Sequence, residues 1–100
     1  MYTLSEFIKF NHDKGLHWFE PNAMRFFGTR ISHWDCISGL FITSEQPPYS
    51  TRMYSVRQAL WDTGQVVTLG EFMAYKSLRK AKTALKRYQR MSIEDRLAKK

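Results

Sequence analysis

The spacing of apolar residues changes period twice along this chain, and that change limits the fold more than any single motif. Near the start, Leu4, Phe7, Ile8 and Asn11 fall on one helical face. Between residues 29 and 68 the apolar residues come instead in short runs rich in β-branched and aromatic side chains, separated by turn residues. Helical spacing then returns, with Ala74, Leu78, Ala81, Leu85 and Tyr88 stepping by four, three, four and three. Helix, strands, helix is the order of an α+β domain: an N-terminal helix, a small antiparallel three- to four-stranded sheet, and a long basic C-terminal helix. We expect the helices to pack on one face of that sheet.

Both helical segments follow the same local pattern. Thr3-Leu4-Ser5-Glu6-Phe7 returns as Thr68-Leu69-Gly70-Glu71-Phe72. Thr-x-x-Glu ahead of an apolar-periodic run is a capping box, in which threonine and glutamate satisfy each other's free N–H groups. The first helix is therefore expected over Leu4–Lys14, closed by Gly15 in a left-handed conformation and by Leu16. The second is expected over Leu69–Gln89, with Thr68 as its cap. The likeness ends after one helical turn, so it reads as one start device used twice rather than a duplicated unit.

Between them, Pro21 to Gly28 has proline near its start and glycine at its end, which suggests a single helical turn. Strands are expected at Thr29–Trp34, Leu40–Ser44, Arg52–Arg57 and Gln65–Thr68. Asp62-Thr63-Gly64 is a turn ahead of the last strand. Glu45–Ser50, with Pro47-Pro48, is the least regular loop.

With 100 residues the chain makes one domain, read as residues 1–91 with 92–100 as a short basic tail or an extra helical turn. An apolar fraction of 43% and an aromatic fraction of 15% exclude a disordered chain. The apolar runs fall far short of the roughly 20 residues a membrane span requires. Glu6 and Asp13 interrupt any signal-peptide order, and a single cysteine, Cys36, fits a reducing compartment. These features point to a cytoplasmic protein.

Charge is concentrated at one end. Residues 76–100 hold ten basic side chains against two acidic ones, while the first 75 hold six basic and seven acidic. Lys76, Arg79, Lys86, Arg87 and Arg90 lie opposite the apolar stripe, flanked by Lys80 and Lys82, with no acid among them. A solubilising helix face normally interleaves acids. These seven residues are the candidate binding surface, and the partner they imply is anionic: nucleic acid, or a protein or ribonucleoprotein complex with an acidic face.

Two resemblances bear on function. Phe26-Phe27 ahead of Thr29-Arg30, then Thr43-Ser44-Glu45, Tyr54-x-Val56-Arg57 and Gly64 leading to Thr68-x-Gly70-Glu71-Phe72 together resemble a family of small, mostly phage-encoded proteins of uncharacterised function. The likeness covers about Trp18 to Ala81. It implies a virus or mobile-element setting and carries no activity to transfer. Ser77 to Ala84 is similar to the start of the last helix of double-stranded-RNA-binding domains, where basic residues meet phosphates across the groove.

Catalytic patterns are absent: there is no phosphate loop, nucleophile elbow or paired-carboxylate signature. His12, His17, His33 and Cys36 have only a half-site spacing for zinc, so no metal or other cofactor is expected. Arg30 and Arg57, in strands beside alternating apolar residues, are expected to pair with Glu45 or Asp35, the alternative being contact with an anion or a partner. The expectation is a non-enzymatic binding protein of phage type that engages a host nucleic-acid-processing or defence complex, with inhibition of a CRISPR-type defence as one form. The alternative is a protein that binds double-stranded nucleic acid directly.

Overall fold

The computed structural model describes residues 2–98, which run α1 (Leu4–Asp13), α2 (Pro21–Phe26), β1 (Arg30–Ser32), β2 (Leu40–Glu45), β3 (Met53–Ala59), β4 (Val66–Leu69), α3 (Leu78–Gln89) and α4 (Ile93–Ala98). The α1 capping box forms as expected. Thr3 Oγ1 accepts from the Glu6 N–H at 3.2 Å, and Glu6 Oε1 accepts from the Thr3 N–H at 2.8 Å. The bond from the Thr3 N–H, with a further contribution from the Thr3 side chain, holds the Glu6 carboxyl below its ordinary pKa. Gly15 ends the helix at φ +77°. In α2, the Glu20 carboxylate caps the N–H groups of Asn22 and Ala23, with proline at the first helical position.

The four strands form an antiparallel meander in the order β1-β2-β3-β4. Register is set by pairs such as Ile31 with Thr43, Phe41 with Arg57, and Val56 with Leu69. Alternation along β2 sends Leu40 and Ile42 into one hydrophobic cluster and Phe41 into another. The first cluster holds Val56, Leu69, Ala81, Ala84, Leu85 and Tyr88, so α3 covers that face. The second holds Phe7, Phe19 and Ala59, so α1 and the segment after it cover the opposite face. The α+β class and the packing of α3 on one face stand, but the expectation that all helices share that face is corrected. Every residue of β2 is buried, as a strand covered on both sides must be.

The start of the long helix is the second correction. Thr68 and Leu69 belong to β4, and Leu69 is fully buried opposite Val56. Gly70 then takes φ +72° and Met73 φ +56°, both incompatible with an α-helix beginning here. Tyr75 still pairs with Tyr54 as an isolated β-bridge. Burying Leu69 in the sheet outweighs the local cap signal of Thr68 and Glu71. The helix begins instead after Ser77, whose Oγ accepts from the Lys80 N–H at 3.2 Å. Ala74 and Lys76 therefore precede α3.

A stability prediction follows. Ser77→Ala should lower stability by about 1 kcal/mol through loss of the cap, or about 4–8 °C in Tm for a domain of this size. Thr3→Ala should cost less, because the first helix sits where the chain can fray. Thermal unfolding followed by circular dichroism checks both; an unchanged Tm for Ser77→Ala would contradict the assigned helix start.

The fully buried Asn11 joins α1 to the sheet. Its Nδ2 donates to Gly64 O at 2.8 Å, and its Oδ1 accepts from the Trp18 N–H at 2.9 Å. This places Trp18 and Phe19 over the sheet face that carries Arg57.

Candidate binding surfaces

Two surfaces combine exposure with unusual chemistry, one on each side of the sheet. The first is α3. Its buried residues are Ala81, Ala84, Leu85 and Tyr88, Leu78 packs half-buried on the same cluster, and the remaining positions are exposed. At about 100° per residue, Arg79, Lys86 and Arg90 fall within about 40° of one another, with Lys82 on one flank and Lys80 and Arg87 on the other. Arg79 to Arg90 spans about 16 Å at 1.5 Å per residue. All seven candidate residues, Lys76 included, are exposed. Among the described residues the ion pairs are Lys9 with Asp13 and Arg57 with Glu45, so none of the seven is neutralised. The first turn of α3 carries no acid. Arg79 and Lys80 sit there, at the positive end of the helix dipole, where cations are unfavourable.

Arg96 shares the basic segment but not this surface. It is buried, with Nε donating to Tyr88 O at 2.6 Å and Nη1 to Gln58 Oε1 at 3.2 Å. Burial lowers its pKa, against the pull of Asp35. Its role is to fasten α4 to the end of α3 and to β3.

The second surface surrounds Arg57, on the α1 side of the sheet. The guanidinium carbon lies 5.3 Å from the Trp18 ring centre and 5.1 Å from that of Phe72, a cation between two aromatic faces. Its Nε donates to Thr43 Oγ1 at 2.9 Å, and its Nη1 donates to Thr68 Oγ1. Nη2 lies 3.7 Å from Glu45 Oε2, and the two side chains are 10% and 4% exposed. The expected pairing of Arg57 with Glu45 is therefore present. Arg30 is exposed and takes no such partner among the described residues. Burial raises the Glu45 pKa, with Arg57 as the main opposing influence. Burial likewise lowers that of Arg57. The other oxygen, Glu45 Oε1, is buried and receives no hydrogen bond of ordinary geometry among the described residues, while the Thr43 and Thr29 side chains lie close enough to the carboxyl to favour its ionised form.

Local structure builds the walls around this pair. Arg52 Nη1 donates to Gly28 O at 2.8 Å and to Ser44 O at 3.1 Å, tying the end of α2 to β2. The Met73 N–H donates to Ser55 Oγ at 2.7 Å, which holds the left-handed turn after Phe72 against the sheet. Phe72, expected inside the long helix, is thus a loop residue half exposed over Arg57. A cavity of about 200 Å³ results, walled by Trp18, Met24, Phe27 and Phe72 above Glu45 and Arg57. Sequence reasoning singled out Arg57 and Glu45 but not Trp18, Thr68 or Phe72 as their company.

The histidines and the cysteine do not gather. His12 and His17 stack edge-to-face with ring centres 4.6 Å apart, His33 Nδ1 lies 3.0 Å from Ser32 Oγ, and Cys36 is exposed. No group of three His, Cys, Asp or Glu side chains comes together among the described residues, and no helix there is long and apolar enough to cross a membrane. In comparison with known proteins, the model of DUF7447, a family of unknown function, matches residues 3–86, from α1 through most of α3. No curated protein and no solved structure gives a match.

Proposed function

The chain belongs to DUF7447, a family of unknown function, and from that premise we propose that it is a binding protein rather than an enzyme, docking the outer face of α3 on an anionic surface. The partner we propose is a host nucleic-acid-processing or defence complex, reached in the host cytoplasm. Blocking a CRISPR-type defence is one form this takes. The phage-like motif pattern around Thr29, Thr43 and Tyr54 supports that setting.

One observation carries the reading: seven exposed cations along Lys76–Arg90 without an acidic partner among the described residues. Two of them, Arg79 and Lys80, stand at the helix end where positive charge weakens the helix. A face that served only solubility would gain by mixing in acids. Direct contact with duplex nucleic acid is the second reading. It is favoured by the row Arg79, Lys86, Arg90 with flanking cations, and by the position of Ser77 at the helix start, where the similarity to double-stranded-RNA-binding domains begins.

The test is a variant with Arg79, Lys86, Arg87 and Arg90 all changed to Gln, which keeps helix propensity. Affinity capture from host lysate, with and without nuclease, supplies the ligand. A nuclease-resistant protein partner should associate more slowly with the variant, since surface charge acts mainly on the on-rate. Duplex nucleic acid should instead lose affinity for all sequences alike. The slope of log K against log salt should then shrink by roughly 0.9 per lost phosphate contact. Unchanged affinity for both ligands, with the fold intact, would refute α3 as the docking face.

A further inference from the structure

We propose that the free edge of β4 is a self-association site, at which two copies of this chain pair β4 against β4, antiparallel and two-fold symmetric about Val67. The site lies at the rim of the sheet, away from the outer face of α3, and does not rest on the reading given for that face.

Strand alternation leaves this edge unpaired. The Ala59 N–H donates to Gly39 O, toward β2, while the N–H groups of Tyr54 and Leu60 donate to Tyr75 O and Gln65 O on the opposite side. The backbone groups of Val56 and Gln58 therefore face β4, where they meet Leu69 and Val67. Val66 and Thr68 turn their N–H and C=O groups the other way. β4 ends the sheet, and no protein group among the described residues hydrogen-bonds to those four. A groove of about 340 Å³ opens beside them, lined by Leu16, Gln65, Val66 and Val67.

The other rim is protected. β1 is three residues long, carries the exposed Arg30, and runs into His33 at φ +58°. Brevity and charge are common ways for an edge strand to avoid pairing. β4 reads Val-Val-Thr-Leu, with no charge, no proline and an unbroken register.

Chemistry and symmetry name the occupant. Donors and acceptors spaced along an extended backbone are matched by a second extended backbone. In antiparallel pairing centred on Val67, Val66 of each copy lies opposite Thr68 of the other, and every outward group is used. Val67, half-buried against the α3 cluster, then meets Val67 of the second copy side by side. A second copy brings β4 already extended, whereas a flexible peptide would lose backbone freedom on binding. Charge permits the pairing as well. α3 packs over β2 and β3, so the two α3 axes would lie four strand spacings apart, about 19 Å. That is more than twice the screening length of about 8 Å at physiological salt. The two-fold axis is perpendicular to the sheet, so both α3 helices would stand on the same side of one continuous sheet.

Sedimentation of the intact protein over a concentration series tests the proposal. The 11.9 kDa monomer should give way to a reversible dimer with a dissociation constant below about 1 mM. Val66→Pro removes an outward N–H from each copy, at a position where an edge strand accepts proline. The dimer then loses two hydrogen bonds and should weaken about tenfold or more. In a Cys36→Ser background, Val67→Cys should form an intermolecular disulfide under mild oxidation, because directly opposed, non-hydrogen-bonded residues lie within reach of one. Gln65→Cys in the same background should not, since it faces Leu69 of the second copy. The two cysteine variants keep the test decisive even if Val66→Pro fails to fold. A chain monomeric to about 1 mM would overturn the second copy as occupant and leave the edge to a strand of another protein. A dimer indifferent to Val66→Pro, or cross-linked as readily through Gln65→Cys as through Val67→Cys, would overturn the β4 pairing.

Discussion

Arg57→Met is expected to destabilise the fold by about 3–5 kcal/mol, because it leaves Glu45 as an uncompensated buried carboxylate. It also strips Thr43 and Thr68 of their donor and removes the cation between the Trp18 and Phe72 rings. Stability of a domain this size is commonly only about 5–15 kcal/mol, so a urea midpoint should fall far. Adding Glu45→Leu should recover most of the loss, since a buried pair exchanged for apolar groups of similar volume is often neutral. A double variant no more stable than Arg57→Met alone would show that the hydrogen bonds and ring contacts, not the charge pair, hold this region. A pH signature accompanies the prediction. The native state binds the Glu45 proton more tightly than the unfolded chain does. This group's cost to stability is absent below the ordinary carboxylate value, grows as pH rises past it, and is complete above the raised value. Glu45→Gln should remove that contribution.

The second large effect lies in the aromatic cluster beneath α1. Phe7→Ala should cost about 3–5 kcal/mol. Phe7 is fully buried and its ring meets Tyr2, Phe10, Phe19, Trp34 and Trp61 at centre distances of 5.6–6.2 Å. Alanine would leave a void bounded by rigid rings that cannot readily close over it. The exposed Phe26→Ala is the control and should stay within about 0.5 kcal/mol of wild type. Similar urea midpoints for the two variants would mean that the α1 side of the sheet is not a core at all.

Much of the architecture was legible because it is written locally. The β-branched and aromatic runs at Leu40–Ser44 and Arg52–Arg57 mark strands, within two residues of the observed ends of β2 and β3, and Thr3 with Glu6 marks the start of α1. The same local pattern misled at Thr68, where the competing interaction is the pairing of Leu69 with Val56, thirteen residues away in sequence. Gly70, inside the supposed first turn, was the available warning. The two-sided sheet also had a signal: Leu40 to Ile42 is continuously apolar rather than alternating, as in strands covered on both faces. The basic face of α3 could be read from period alone. The Arg57 cluster could not, because Trp18, Thr43, Thr68 and Phe72 meet only through the tertiary fold.

The sheet that divides the two helical layers also divides two kinds of chemistry. Arg57, Glu45 and the Phe27–Phe72 rim belong to one side, and the cations of α3 to the other. A body occupying one side leaves the other uncovered. Under the proposed docking of α3 the aromatic side stays open, and a second body settling there would be held at fixed orientation and raised local concentration beside the partner of the cationic side.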